Sequence, residues 1–195
     1  MVVMASINLS DEKKKALLVC ARKSIQQALN GDWDQKPAIL EPDDLGAAFV
    51  TLKLHGQLRG CIGTLEAYQS LMSDVWQNAY SAAFRDPRFP PLMEDEFHQV
   101  RIEISVLTAP QPISVASEQD LLNRLRPDID GLILEEGHHR ATFLPAVWEA
   151  LPTPEEFLLH LKRKAGLSDN YWSDSTRFSI YQAINFYENY SHKCS

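Results

Sequence analysis

The seven residues Leu58-Arg59-Gly60-Cys61-Ile62-Gly63-Thr64 put a guanidinium, a thiol and two glycines into one short stretch. A thiol beside a cation is a candidate nucleophile, because the thiolate is the attacking species and positive charge favours it. Glycine weakens a strand, so two of them signal a bulge or the close approach of another group. Amides released from a ladder can form a concave anion site, to which Arg59 would add charge. Cys61 is therefore the candidate catalytic residue, and Arg59, Gly60 and Gly63 are candidate binding residues. The competing reading is a strand cysteine packed as a small hydrophobe, the commoner fate of a free thiol.

A second unusual stretch is Arg85-Asp86-Pro87-Arg88-Phe89-Pro90-Pro91. Three prolines stiffen its backbone and hold Asp86 and Arg88 at a fixed offset. One reading is a helix-terminating turn with an internal Asp86–Arg88 pair. The other is a rigid lip beside the glycine strand, which adds Asp86 and Arg88 to the binding set.

Other chemistries lack their sequence marks. None of the six histidines forms H-E-x-x-H, and the three cysteines show no C-x-x-C spacing. No metal site and no cofactor is expected from local motifs. The G-x-S-x-G elbow, the Walker A loop and the G-x-G-x-x-G fingerprint are all missing.

Periodicity supplies the elements that must position these residues. Ser10 caps an expected helix with Asp11 and Glu12 in its first turn, apolar positions from Leu17 to Leu29 and Gly31 as its stop. A polar, proline-broken connection follows over 31–45. Ala48, Val50, Leu52 and Leu54 then share one face of an expected strand, with Phe49, Thr51 and Lys53 on the other, and His55-Gly56-Gln57 turns it into a hairpin. The return strand is the glycine stretch, with Leu58, Gly60 and Ile62 expected on one face and Arg59, Cys61 and Gly63 on the other. A helix is expected from Ser70 to Phe84, with Trp76 in the core.

Val100 to Val106 is the clearest strand, ended by Pro110 and Pro112. Ser117 opens a short helix, and residues 131–144 form a second hairpin turning at Gly137. Pro145 opens a short helix containing Trp148. Thr153-Pro154-Glu155-Glu156 starts another helix, closed by Gly166. A single last strand is expected near Arg177 to Phe186.

Totals narrow the partners. The 195-residue chain has a net charge of −7, which argues against broad nucleic-acid binding. Its first thirty residues carry +3, from Lys13, Lys14, Lys15, Arg22 and Lys23 against Asp11 and Glu12, which leaves −10 for the remainder. The basic cluster reads as a solvated helix face. Cys20 reads as a buried filler and Cys194 as an exposed, incidental thiol. Three free thiols and no apolar run of membrane-spanning length give a cytoplasmic expectation.

The two stretches, together with Ile102-Glu103-Ile104-Ser105-Val106-Leu107, Asp130-Gly131-Leu132-Ile133-Leu134, Ala141-Thr142-Phe143-Leu144-Pro145-Ala146-Val147-Trp148-Glu149, Pro154-Glu155-Glu156-Phe157-Leu158 and Lys164-Ala165-Gly166-Leu167, resemble the AMMECR family. In prokaryotes that family is protein A of the AmmeMemoRadiSam system. The resemblance runs from the first helix to the last strand. It implies an α+β fold, an antiparallel β-sheet with flanking helices in larger and smaller subdomains, forming one domain over 1–195 that could divide into two intertwined parts. It further implies association with a Memo-like protein and a radical S-adenosylmethionine enzyme in modifying a macromolecule. No accepted catalytic residues come with it. The leading expectation is an adaptor or subunit, the alternative a Cys61-dependent enzyme acting on an anionic substrate, and the third a nucleic-acid-associated protein.

Overall fold

The computed structural model describes residues 9–33 and 45–189. Residues 34–44 of the expected polar connection, and Cys194, lie outside them. In chain order the elements are α1 (Asp11–Leu29), β1 (Leu45–Gly46), β2 (Ala48–Leu54), β3 (Gln57–Gly63), β4 (Gln69–Ser70), α2 (Leu71–Phe84) and α3 (Glu94–Phe97). Then come β5 (Val100–Leu107), β6 (Gln111–Ile113), α4 (Glu118–Arg124), β7 (Gly131–Glu136), β8 (His139–Phe143) and a 3-10 turn (Pro145–Glu149). The chain closes with α5 (Pro154–Lys164), β9 (Arg177–Tyr181) and β10 (Ala183–Tyr187). This is the expected α+β mixture of antiparallel sheets and helices. It divides into two units, one built from residues 1–107 and 184–195 and the other from 108–183, so the second is an insertion within the first.

The first unit carries a four-stranded sheet in the order β10-β5-β2-β3, with β2 antiparallel to both neighbours. The alternation in β2 and β5 turns Val50, Leu52, Ile102 and Ile104 to one face, all fully buried. Helices α1 and α2 supply Leu17, Ala21, Ile25, Val75, Ala79 and Ala82 to the same cluster. Each large side chain so buried contributes about 1.5–3 kcal/mol. The starts of the helices are local: Ser10 accepts a hydrogen bond from the Lys13 amide at 3.2 Å, and Ser70 one from the Ser73 amide at 3.3 Å. The β2–β3 hairpin turns through His55 and Gly56 alone, at φ of +50° and +81°, the paired left-handed conformation that matches strand twist.

Strand β3 departs from the expected alternation. Leu52 pairs with Gly60 and Lys53 with Leu58, so Arg59 is the extra residue of a β-bulge. Beyond the bulge, Gly60 and Ile62 do face the helices. Before it the sides are exchanged, which leaves Leu58 42% exposed and Arg59 buried. Gly60 is required by the helix above it: a Cβ there would lie 2.1 Å from the Ala82 carbonyl oxygen of α2. On the opposite face a Cβ at Gly63 would lie 2.2 Å from the Phe49 ring.

The second unit has its own sheet, ordered β6-β9-β7-β8 and antiparallel throughout. Its core stacks Trp148 on Phe157 with ring centroids 3.8 Å apart, while the Trp148 indole donates to the Asp130 carbonyl at 2.7 Å. Thr153 caps α5 as expected, accepting from the Glu156 amide at 3.3 Å. Two expectations need correcting here. Pro112 lies within β6, which is possible because β6 is an edge strand and needs no amide there. The single last strand is in fact two, β9 and β10, interrupted at Gln182 and joined to different sheets.

The glycine contacts order two substitutions. Gly60→Ala meets an α-helical backbone oxygen that cannot rotate away, whereas Gly63→Ala meets a ring that can. Gly60→Ala should therefore cost at least the ~1–3 kcal/mol typical of overpacking, and Gly63→Ala less. Urea unfolding of both variants measures this; equal midpoints for Gly60→Ala and wild type would show that the close approach is wrong.

Candidate functional site

Strand β3 is an edge strand, and an edge presents unpaired amides and carbonyls. At Cys61 those groups point outward and are met by side chains. The Cys61 amide donates to Asp86 Oδ2 at 2.9 Å, and Arg88 Nη2 donates to the Cys61 carbonyl at 3.3 Å. Arg88 also grips Asp86 through Nε at 2.9 Å and Nη2 at 2.7 Å. Both expectations for the proline-rich stretch hold together: it is an internal Asp86–Arg88 pair and it lies beside the glycine strand. Because Asp86 is buried while the Arg88 side chain is 54% exposed, the carboxylate is the fixed member. The Arg88 hydrogen bonds hold the Asp86 carboxyl well below the usual carboxylate range, against the opposing effect of burial, and the Cys61 and Arg88 amides add to it.

The bulge sends Arg59 elsewhere. Its Nε and Nη2 bond the two carboxylate oxygens of Glu96 in α3, each at 2.8 Å, a bidentate pair. Those bonds lower the Glu96 pKa and raise that of Arg59, each against a desolvation effect. Glu96 also accepts the Met93 amide at 3.0 Å, closing the short helix on itself. Phe89 stands near both cations, its ring centroid 5.9 Å from the Arg59 guanidinium and 5.6 Å from that of Arg88. Arg59, Gly60, Cys61, Asp86 and Arg88 thus gather along one edge. Gly63 lies two residues farther along β3, against Phe49.

The anions met by the Cys61 amide and by Arg59 come from the chain itself, Asp86 and Glu96. The far end of the stretch is anchored by a residue that sequence reasoning passed over. Asp74, fully buried in the first turn of α2, accepts from the Ala48 amide at 2.8 Å, Thr64 Oγ1 at 2.7 Å, Gln69 at 3.1 Å and Asn78 at 3.0 Å. Its early position in a helix was the available signal.

The Cys61 thiol lies on the sheet face away from the helices and is partly exposed, unlike Cys20, which is buried as expected and donates to the Met72 carbonyl at 3.6 Å. Thr51 Oγ1 donates to Cys61 Sγ at 3.3 Å. Glu103 is opposite Thr51 on β5, so thiol, hydroxyl and carboxylate form a row across three strands. Glu103 is engaged by Lys53 at 2.8 Å. Arg59 is turned to Glu96 rather than to the thiol, and His98 closes α3 beside Phe97. Among the described residues no cluster of three or more His, Cys, Asp or Glu could hold a metal ion, and no helix is long and apolar enough to cross a membrane.

The profile of the family described as AMMECR1 matches residues 18–186, which includes every residue of this edge. The chain belongs to the AMMECR1 family. Among its curated relatives, a protein of Methanothermobacter thermautotrophicus is 38% identical over 193 residues, 92% of this chain and 96% of the relative. One from Saccharolobus solfataricus is 39% identical over 189 residues, 92% of this chain and 83% of the relative. The crystal structure of an uncharacterised protein from Pyrococcus horikoshii is similar with a TM-score of 0.81 at 31% identity, covering 93% of this chain and 94% of that one. The fold of this AMMECR1 member is therefore one that experiment has seen.

The edge brace has a pH signature. A carboxyl with a depressed folded-state pKa stabilises the fold fully above the ordinary carboxylate range near pH 4, and loses that contribution as pH falls through the lowered value. Asp86→Asn should flatten the acid side of the stability–pH curve. It should also cost about 1–3 kcal/mol at neutral pH, because the Cys61 amide and Arg88 lose their charged partner. Chemical denaturation between pH 2 and 7 checks both; an unchanged acid limb would show that Asp86 carries none of it.

Proposed function

We propose that this protein is a binding or adaptor subunit acting with Memo-like and radical S-adenosylmethionine proteins in the modification of a macromolecule. One observation supports this reading above others. The charged residues of the signature are closed on each other, Arg59 on Glu96 and Asp86 on Arg88, and so form a braced edge rather than a set of free acids and bases. Leu58, which precedes Arg59, and Met93, whose amide Glu96 accepts, are 42% and 60% exposed and offer apolar contacts on a stiff support. Prolines 87, 90 and 91 keep that surface from rearranging, which lowers the entropic cost of docking.

A second reading rests on a different observation. Cys61 is not packed away: it is partly exposed and its sulfur accepts a hydroxyl hydrogen bond, an arrangement open to a nucleophilic role on an anionic substrate. Nucleic-acid association stands third, and the engagement of Arg22 from the basic helix face in a half-buried pair with Glu188 weakens it further.

Two measurements separate the readings. The full chain, tagged, should capture purified Memo-like and radical-enzyme partners at micromolar concentration, and Leu58→Asp with Met93→Asp should weaken capture at least tenfold without lowering the melting temperature. No association at that concentration removes the adaptor reading. Cys61→Ser should leave capture intact; if it abolishes activity of the assembled system while capture persists, the enzyme reading replaces it.

A further inference from the structure

Within the first unit, where β5 begins, Arg22, Phe97, His98, Arg101, Glu188 and Asn189 are among the residues lining a cavity of about 420 Å³, a size that falls within the range of small-molecule sites. Two of its charges cancel. Arg22 donates to the Phe97 carbonyl at 2.7 Å, the Val100 carbonyl at 2.9 Å and Glu188 Oε1 at 3.0 Å, and also reaches Glu188 Oε2. Glu188 Oε2 accepts the Ile102 amide as well, at 3.0 Å. This pair makes a neutral, rigid wall.

Arg101 has no such balance. Its guanidinium stacks 3.7 Å from the Tyr187 ring centroid, which sets its plane. Its ion-pair partner among the described residues, Glu103, is 3.8 Å away, too far for a hydrogen bond, and is already shared with Lys53 at 2.8 Å. Two cations thus face one carboxylate. Among the described residues the Arg101 guanidinium makes no hydrogen bond, and its Nε is buried without a partner. An oriented cation left under-bonded in a partly buried place is costly to keep unless something occupies it. His98 and Asn189 line the same cavity, and among the described residues neither side chain is hydrogen-bonded.

We propose that this cavity binds the oxyanion group, carboxylate or phosphate, of a small molecule. Arg101 presents its planar fork to the anion, His98 and Asn189 add donors, and Phe97 and Val100 supply an apolar floor for the rest of the ligand. The site is separate from the β3 edge and stands whether or not the adaptor reading does.

The probes are inorganic phosphate and acetate, titrated at constant ionic strength into the isotopically labelled full chain and followed by NMR. Saturable shifts centred on Arg101, His98 and Asn189 are expected. Arg101→Gln should weaken binding at least tenfold and His98→Ala several-fold. Tighter binding of phosphate assigns a phosphate ligand, and equal or tighter binding of acetate a carboxylate. If Arg101→Gln fails to fold, the exposed His98→Ala variant decides alone. Shifts that do not saturate, or that persist unchanged in the variants, would overturn the proposal.

Discussion

The β3 edge depends on a carboxylate that takes the place of a strand. Asp86 accepts the Cys61 amide that a neighbouring strand would have bonded, and Arg88 returns the donor that such a strand would have given to the Cys61 carbonyl. Pro87, Pro90 and Pro91 lack amides of their own, so the segment that covers the edge cannot itself become a template for further pairing. The sheet ends there by chemistry rather than by running out of chain. Gly60 follows from the same arrangement, because α2 can deliver Asp86 only if Ala82 passes directly over the strand.

The bulge at Arg59 divides the labour along this short strand. Without it, Arg59 would share the face of Cys61, and a guanidinium would stand two residues from the thiol on the same side. With it, Arg59 leaves the face, joins Glu96 and fixes α3 to the edge. Among the described residues the thiol's hydrogen-bonded neighbour is Thr51. One inserted residue thus turns an apparent thiol–cation motif into a structural ion pair and a separate, partly exposed cysteine.

Most of the element plan was legible before any coordinates. Ser10, Ser70, Ser117 and Thr153 mark helix starts because a side-chain oxygen beside an orphan amide is a local arrangement. His55-Gly56 and Gly137 mark hairpins because positive φ has few residue types to choose from. What failed was not local. The bulge exchanges faces only because α2 demands a glycine at one register position, and Glu96 lies 37 residues from Arg59. Arg22 looks like one more cation on a basic helix until Glu188, 166 residues on, pairs with it. The break at Gln182 has no sequence mark, since β9 and β10 are both apolar enough to read as one strand and differ only in the sheet they join. Of the candidate site, the residues were legible and their partners were not.

Inserting the second unit between β5 and β10 has a temporal meaning. A ribosome adding about 5–20 residues per second would deliver β2, β3, α2 and β5 well before it reaches Glu188. For roughly four to sixteen seconds the nascent sheet would lack its β10 border, and Arg22 would wait roughly eight to thirty for its carboxylate. Meanwhile the second unit, contiguous from residue 108 to 183, can complete its own core. β10 thus emerges long after α1, and the Glu188 that follows it locks that helix to the sheet, so a helix made early is finished late.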